Sequence, residues 1–149
     1  MRGYMHFLLV NLYGQPYTKE GAPTSKAIPL KLSLDLEEMP TRNTVEEIYA
    51  SILSDIENAR QLINHKEWET GYNYRFSKLA VDAFESRVRL YKGEWQAAYN
   101  AAERVLEQKN TLEDYNNNNS TDFQMPNTYT SVESITAYEN VYSRNGINA

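Results

Sequence analysis

The chain has 149 residues, 41% of them apolar, with a formal charge of -5 and a pI near 5.1. That length supports one hydrophobic core, while the acidic balance and the lack of a Lys/Arg stripe argue against nucleic acid as a partner, because phosphate contacts need clustered cations. The sequence contains no cysteine, which removes disulfides, thiolate metal sites and Cys nucleophiles from consideration.

The first stretch, Arg2 to Tyr13, reads as a helix with Tyr4, Phe7, Leu8, Val10, Leu12 and Tyr13 apolar on nearly all sides. A helix of that kind is buried or touches several partners. Its apolar segment of roughly 13 residues is well short of the ~20 that span a bilayer. His6 and Asn11 interrupt it, and Tyr13-Gly-Gln-Pro16 follows where a signal peptide would place a small-x-small cleavage site. A buried helix starting so abruptly suggests a piece of something longer. Gly14 is expected as a left-handed stop, with Pro16 preventing continuation.

Residues 15–43 read as extended or irregular. Ile28, Leu30, Leu32, Leu34 and Leu36 alternate with Pro29, Lys31, Ser33 and Asp35, which predicts an extended segment with one buried face. Pro29 confines it to an edge or to a strap lying across the helices over 27–37. The strap is preferred because no strong second strand pattern exists, and pairing with residues near 132–137 is the weaker option.

Thr44 and Glu47 form a capping box. Val45, Ile48, Tyr49, Ile52, Leu53, Ile56, Ala59 and Ile63 then follow helical spacing, which predicts a helix of about 20 residues. A polar and aromatic loop spans 64–76. Ser77 caps a third helix that turns Leu79, Ala80, Ala83, Phe84, Val88 and Tyr91 inward, and Gly93 ends it in the left-handed region. A fourth helix from about Glu94 is expected to bury Trp95, Ala98, Ala102, Val105 and Leu106, with the small residues letting the two helices approach closely. Tetratricopeptide repeats use the same logic over about 34 residues. This one diverges, with Ala102 where a bulky aromatic is usual and Asn110 where Pro would stand. It needs neighbours to bury its face.

From Thr111 the composition turns to Asn, Ser, Thr and Tyr, with an Asn run at 116–119, too polar to fold alone. Val132 to Val141 reads as a short strand or helical turn. The expectation is therefore an all-α fold of about four helices in tetratricopeptide-like hairpins with long irregular loops. Residues 1–110 form the helical region, and 111–149 form an irregular tail belonging to a larger, missing domain.

No catalytic constellation emerges. His6 and His65 lack a carboxylate at ligand spacing, so no metal is expected. Asp35, Glu37 and Glu38 read as solvated loop acids rather than a glycosidase pair. Ser77 and Ser86 lack a nucleophile elbow, and the isolated Gly14, Gly21 and Gly71 make no phosphate cradle. No cofactor is expected.

The order of motifs resembles the SusD/RagB family of outer-membrane nutrient-binding lipoproteins. The matching pieces are Arg2-Gly-Tyr-Met-His-Phe-Leu-Leu-Val-Asn-Leu-Tyr-Gly14, Ala27-Ile-Pro-Leu30, Arg42-Asn-Thr-Val-Glu-Glu-Ile-Tyr49 and Asp55-Ile-Glu-Asn-Ala59. The hairpin from Leu79-Ala80 through Gly93-Glu94-Trp95 to Ala98 and Ala102 follows, then Glu133-Ser-Ile135. The resemblance implies the tetratricopeptide-rich part of a surface-exposed outer-membrane protein that holds glycan or other nutrients and performs no chemistry. It implies a SusC-type TonB-dependent transporter as partner and a lipid anchor not contained in this chain. No binding residue of the family transfers by motif. On physical grounds, Trp68, Tyr72 and Tyr74 beside Asn64, Glu67 and Asn73 suit a sugar, whose C–H faces stack on rings and whose hydroxyls pair with amides and carboxylates. The favoured alternative has these rings covering helix ends. From the hairpin alone, a tetratricopeptide-type adaptor that docks a peptide is the second functional expectation.

Overall fold

In the computed structural model, which describes residues 1–35, 37–114, 116 and 130–137, the α-helices are α1 (Arg2–Tyr13), α2 (Val45–Leu62), α3 (Lys78–Lys92) and α4 (Trp95–Leu106). The one small sheet among the described residues pairs β1 (Lys26–Pro29) with β2 (Arg42–Thr44). The fold is all-α.

α2 is the spine. Its capping box forms: the Glu47 N–H donates to Thr44 Oγ1 at 3.2 Å, and the Thr44 N–H donates to Glu47 Oε2 at 2.8 Å. Two otherwise orphaned donors of the first turn are satisfied in this way. Ile48, Tyr49, Ile52 and Ile56 turn inward with Val45, and Phe7 and Val10 of α1 and Val81 and Val88 of α3 close the core around them. Phe7 is the hub of edge-to-face ring contacts, 5.5 Å from Phe84, 5.2 Å from Tyr91 and 6.3 Å from Tyr49. Tyr91 therefore packs inward on one side although half of it is exposed.

α1 differs from the expectation of burial all round. Gly3, His6, Phe7 and Val10 are buried, whereas Met5, Leu8, Leu9, Leu12 and Tyr13 are exposed. Gly3 lets α1 approach α2, since a Cβ there would meet Asp55 Cβ at 3.0 Å. Arg2 locks the approach by donating from Nε to Asp55 Oδ2 at 2.9 Å. Gly14 is not left-handed: its φ of -97° and ψ of 176° are extended. Glycine is required there for space, because a Cβ would lie 2.6 Å from the Val10 carbonyl oxygen.

The strap expected at 27–37 is shorter and is paired. β1 runs antiparallel to β2 with Lys26 opposite Thr44 and Pro29 opposite Arg42. Arg42 fixes the edge by donating from Nε to the Ala27 carbonyl at 2.6 Å and from Nη2 to the Lys26 carbonyl at 3.1 Å. Past Pro29 a side chain replaces the ladder, Asn43 Oδ1 accepting from the Leu30 N–H at 3.0 Å. Ala27 and Ile28 are buried and Leu30 packs against the core, but Leu32 and Leu34 are exposed, Leu34 at 99%. The alternation beyond Leu30 thus has no surface to face among the described residues. Leu36, most of the Asn run and Tyr138 to Ala149 lie outside them, and the described residues 132–137 contain no strand.

The α3/α4 hairpin forms as expected at its ends. Ser77 Oγ accepts from the Ala80 N–H at 3.2 Å, and Gly93 is left-handed at φ 81°. The Gly93 and Glu94 N–H groups return to the Leu90 and Arg89 carbonyls, satisfying acceptors the helix end leaves open. The rotation of α4 is not as expected. Its seam is Ala98, Ala101 and Val105, while Trp95 is 65% exposed and Leu106 56%. The cause is the close approach itself. Ser86 Oγ reaches the Ala98 carbonyl at 3.0 Å, and a seam that tight admits alanines but not an indole, so Trp95, Tyr99 and Leu106 point outward together.

A feature with no hydrophobic signature ties the helices. Asp82 and Glu85 of α3 are buried between Arg60 of α2 and Arg104 of α4. Arg60 Nη2 lies 2.9 Å from Asp82 Oδ1 and 2.5 Å from Glu85 Oε2, and Arg104 Nη2 lies 3.1 Å and 2.6 Å from the same two atoms. Arg89 then links Glu85, at 3.3 Å, to Glu94 at the hairpin turn.

Three outcomes follow for urea and thermal unfolding. Glu85→Ala removes one of the two carboxylates that Arg60 and Arg104 share, leaving Asp82 alone between them, and should cost about 1–3 kcal/mol, whereas Trp95→Ala should change stability by no more than about 0.5 kcal/mol, as exposed sites do. Burial holds the His6 imidazole below its usual pKa, with Asp55 opposing and Arg2 reinforcing. The unfolded chain therefore protonates first as pH falls. The stability His6 contributes is fully present above about pH 6.5 and declines below it, so Tm should drop between pH 7.5 and 5.5, and His6→Gln should flatten that slope.

Candidate functional site

The loop 64–76 is held to α3 by the helix's own orphan donors. Lys78 N–H donates to the His65 carbonyl at 2.9 Å and Leu79 N–H to the Lys66 carbonyl at 3.3 Å, so loop carbonyls take groups that an open helix start would leave to water. Two tight turns shape the tip, closed by Tyr72 N–H to the Glu69 carbonyl at 2.9 Å and Arg75 N–H to the Tyr72 carbonyl at 3.1 Å. Gly71 supplies the left-handed residue of the first turn at φ 93°, where a side chain would be strained.

These turns gather Trp68, Tyr72 and Tyr74 around one cation. The Arg75 guanidinium carbon lies 5.2, 5.3 and 5.4 Å from their ring centroids, within cation–π range of each. Arg75 Nε also donates to Tyr74 Oη at 3.2 Å. Trp68 is the anchor: its indole N–H donates to the Phe76 carbonyl at 3.1 Å, and His65 stacks on it at 4.0 Å. Its ring is half-buried and already engaged, which is the covering role. Tyr72 and Tyr74 are 51% and 45% exposed and retain surface for a ligand.

A groove of about 480 Å³ opens here, lined by His65, Trp68, Tyr72 and Arg75 with Glu67 and Glu69. Trp68 and Tyr72 thus share one groove, while Tyr74 joins only through Arg75. Of the polar neighbours expected to assist, Glu67 lines the groove and is paired with Lys109, Asn73 is buried, and Asn64 is not part of the lining. Arg75 was not singled out by sequence reasoning, and His65 was weighed only as a metal ligand. The available signal was a lone cation directly after a Tyr-Asn-Tyr triplet. Elsewhere, Glu133, Ser134 and Ile135 fold over Tyr4, Phe76 and Phe84 and form one wall of a groove of about 350 Å³. The arrangement at the loop offers ring faces, carboxylates and a guanidinium at the surface, a set suited to holding a polyhydroxylated ligand.

Residues 1–90 match the SusD-like family described as "Starch-binding associating with outer membrane". A SusD superfamily protein from Bacteroides thetaiotaomicron is 34% identical, with a TM-score of 0.68 over 77% of this chain and 25% of its own. Another from Bacteroides fragilis is 31% identical, with a TM-score of 0.63 over 75% of this chain and 26% of its own. A SusD-like carbohydrate binding protein from Bacteroides vulgatus, 23% identical, shares the fold with a TM-score of 0.68 over 77% and 24%. This chain spans about a quarter of the length of these structures. No curated protein matches it.

Unfolding measurements should separate the roles of the rings. Trp68→Ala removes the Phe76 hydrogen bond and the His65 stack and should lower stability by about 1–3 kcal/mol. Tyr72→Ala should leave it within about 0.5 kcal/mol.

Proposed function

The chain belongs to the SusD-like family, and from that premise we propose that it is a non-enzymatic, glycan-binding component of a TonB-dependent outer-membrane uptake system. Its place is the cell-surface side of the outer membrane, where a SusC-type transporter accepts the nutrient it holds. Trp68 shapes the contact loop, and Tyr72 and Tyr74 supply the surface that meets the sugar.

The observation that carries the reading is the loop cluster: two half-exposed tyrosines held by one guanidinium over an anchored indole. A ring fixed before the ligand arrives loses little rotamer entropy on binding. A sugar's apolar face can stack on it while its hydroxyls reach Glu69, Arg75 and water. Residues 1–110 serve as the helical scaffold that presents this loop.

Affinity electrophoresis against a set of polysaccharides that includes starch tests the ligand half of the proposal. Retardation by at least one polysaccharide is expected, with binding weakened about tenfold or more in Tyr72→Ala/Tyr74→Ala, equivalent to about 1.4 kcal/mol. Unchanged retardation in the double variant would remove the loop from the site. For the partner half, the protein isolated from outer membranes should bring a TonB-dependent transporter with it, and its isolation without any such transporter would count against the uptake role.

A further inference from the structure

The aromatic groove does not end at Trp68. A second groove of about 400 Å³ lies on the other side, sharing Glu67 and Trp68 as a common wall. It is built where α4 runs out: Gln108 and Lys109 donate their N–H groups to the Val105 carbonyl at 3.0 and 2.9 Å, and the chain then leaves the helix through Asn110 and Thr111. Thr70 from the loop tip and Thr130 from the returning chain face the same space.

Its chemistry is distinct from that of the first groove. Apart from Glu67 and Lys109, which neutralise each other as an ion pair, every residue lining it is uncharged, and most carry an amide or a hydroxyl. Such groups donate and accept together, as sugar hydroxyls do. The Asn110 and Thr111 side chains are exposed and make no hydrogen bond among the described residues, so their capacity is available to a ligand. The linings set Glu67 and Glu69 against Lys109 and Arg75, so neither space offers the surplus positive charge that would recruit an anionic sugar.

We propose that the two grooves form one continuous track for a neutral oligosaccharide, with the aromatic loop binding one end and Thr70, Gln108, Asn110 and Thr111 binding the next units across the Trp68 wall. This rests on the glycan reading of the aromatic loop and adds to it a second subsite, a preference for length and a preference for neutral sugars. Contacts in the second groove act within a ligand already tethered in the first, so they raise affinity only for chains long enough to cross.

The test is titration calorimetry on the full chain with paired short and long probes. Maltose with maltoheptaose, cellobiose with cellohexaose and xylobiose with xylohexaose are the neutral pairs, and oligogalacturonate is the acidic control. Within the neutral series that binds, the long probe should bind about tenfold tighter than the short one. Asn110→Ala/Thr111→Ala, at exposed positions, should reduce that advantage to about twofold or less without changing the affinity for the short probe, and Tyr72→Ala should weaken both. A length advantage that survives Asn110→Ala/Thr111→Ala, equal affinity for short and long probes, or tighter binding of oligogalacturonate would overturn the second groove and leave the aromatic site standing. Binding of no probe, including by the unaltered chain, would instead remove the glycan reading and this inference with it.

Discussion

The structure depends on two buried carboxylates. Asp82 and Glu85 stand on neighbouring turns of α3, and Arg60 from α2 and Arg104 from α4 close on them from either side. Two acids between two guanidinium groups form a neutral unit, which is what lets charges lie in a helix interface at all. Hydrophobic contacts alone hold helices together loosely in register, since apolar surfaces slide at small cost. A clasp of forked hydrogen bonds has one geometry. It fixes the ends of α2 and α4, and those ends carry the loop 64–76 and the exit at Gln108 to Thr111. The ion pair between Glu67 and Lys109 repeats the link at the surface.

What could be read from the chain follows from the range of the interactions concerned. The caps at Thr44 and Ser77 and the left-handed Gly93 involve partners within four residues, and each appears where spacing places it. The outward face of α4 could not be read in this way. Trp95, Ala98, Ala102 and Leu106 suit one face of a helix as well as Ala98, Ala101 and Val105 do, and only the closeness of α3 decides between them. Hydrophobicity favours burying the indole, but the tight seam excludes it. Gly14 is a related case: a glycine was needed, but for a contact with the Val10 carbonyl rather than for its backbone angle. The partner of β1 eluded pattern reading, because Arg42–Thr44 carries no strand signature and is fixed in part by the Arg42 side chain.

At the loop, residue type was informative and arrangement was not. Three aromatics within seven positions signal either packing or ligand contact, and here Trp68 packs while Tyr72 and Tyr74 stay half-exposed. Trp68 is consumed by His65, Phe76 and Arg75, and this leaves Tyr72 and Tyr74 on a surface stiff enough to present them. Arg75, which organises all three, looks like any solvated cation in the sequence. Glu133 and Ser131 show the same long reach on the return of the chain, where Glu133 accepts from the Glu113 N–H at 2.9 Å and Ser131 donates to Glu113 at 2.8 Å.

The central claim is that a clasped helical scaffold presents a pre-shaped sugar-contacting loop. Nitrogen-edited NMR of the two tryptophan indole N–H signals during titration with a bound oligosaccharide tests it most directly, since the chain has two tryptophans, one at the loop and one on the outer face of α4. The Trp68 signal should move with saturation while the Trp95 signal stays fixed, and the Arg60 and Arg104 side-chain signals should keep their positions. Movement of Trp95 with Trp68 unchanged, or loss of the clasp signals on binding, would contradict the account.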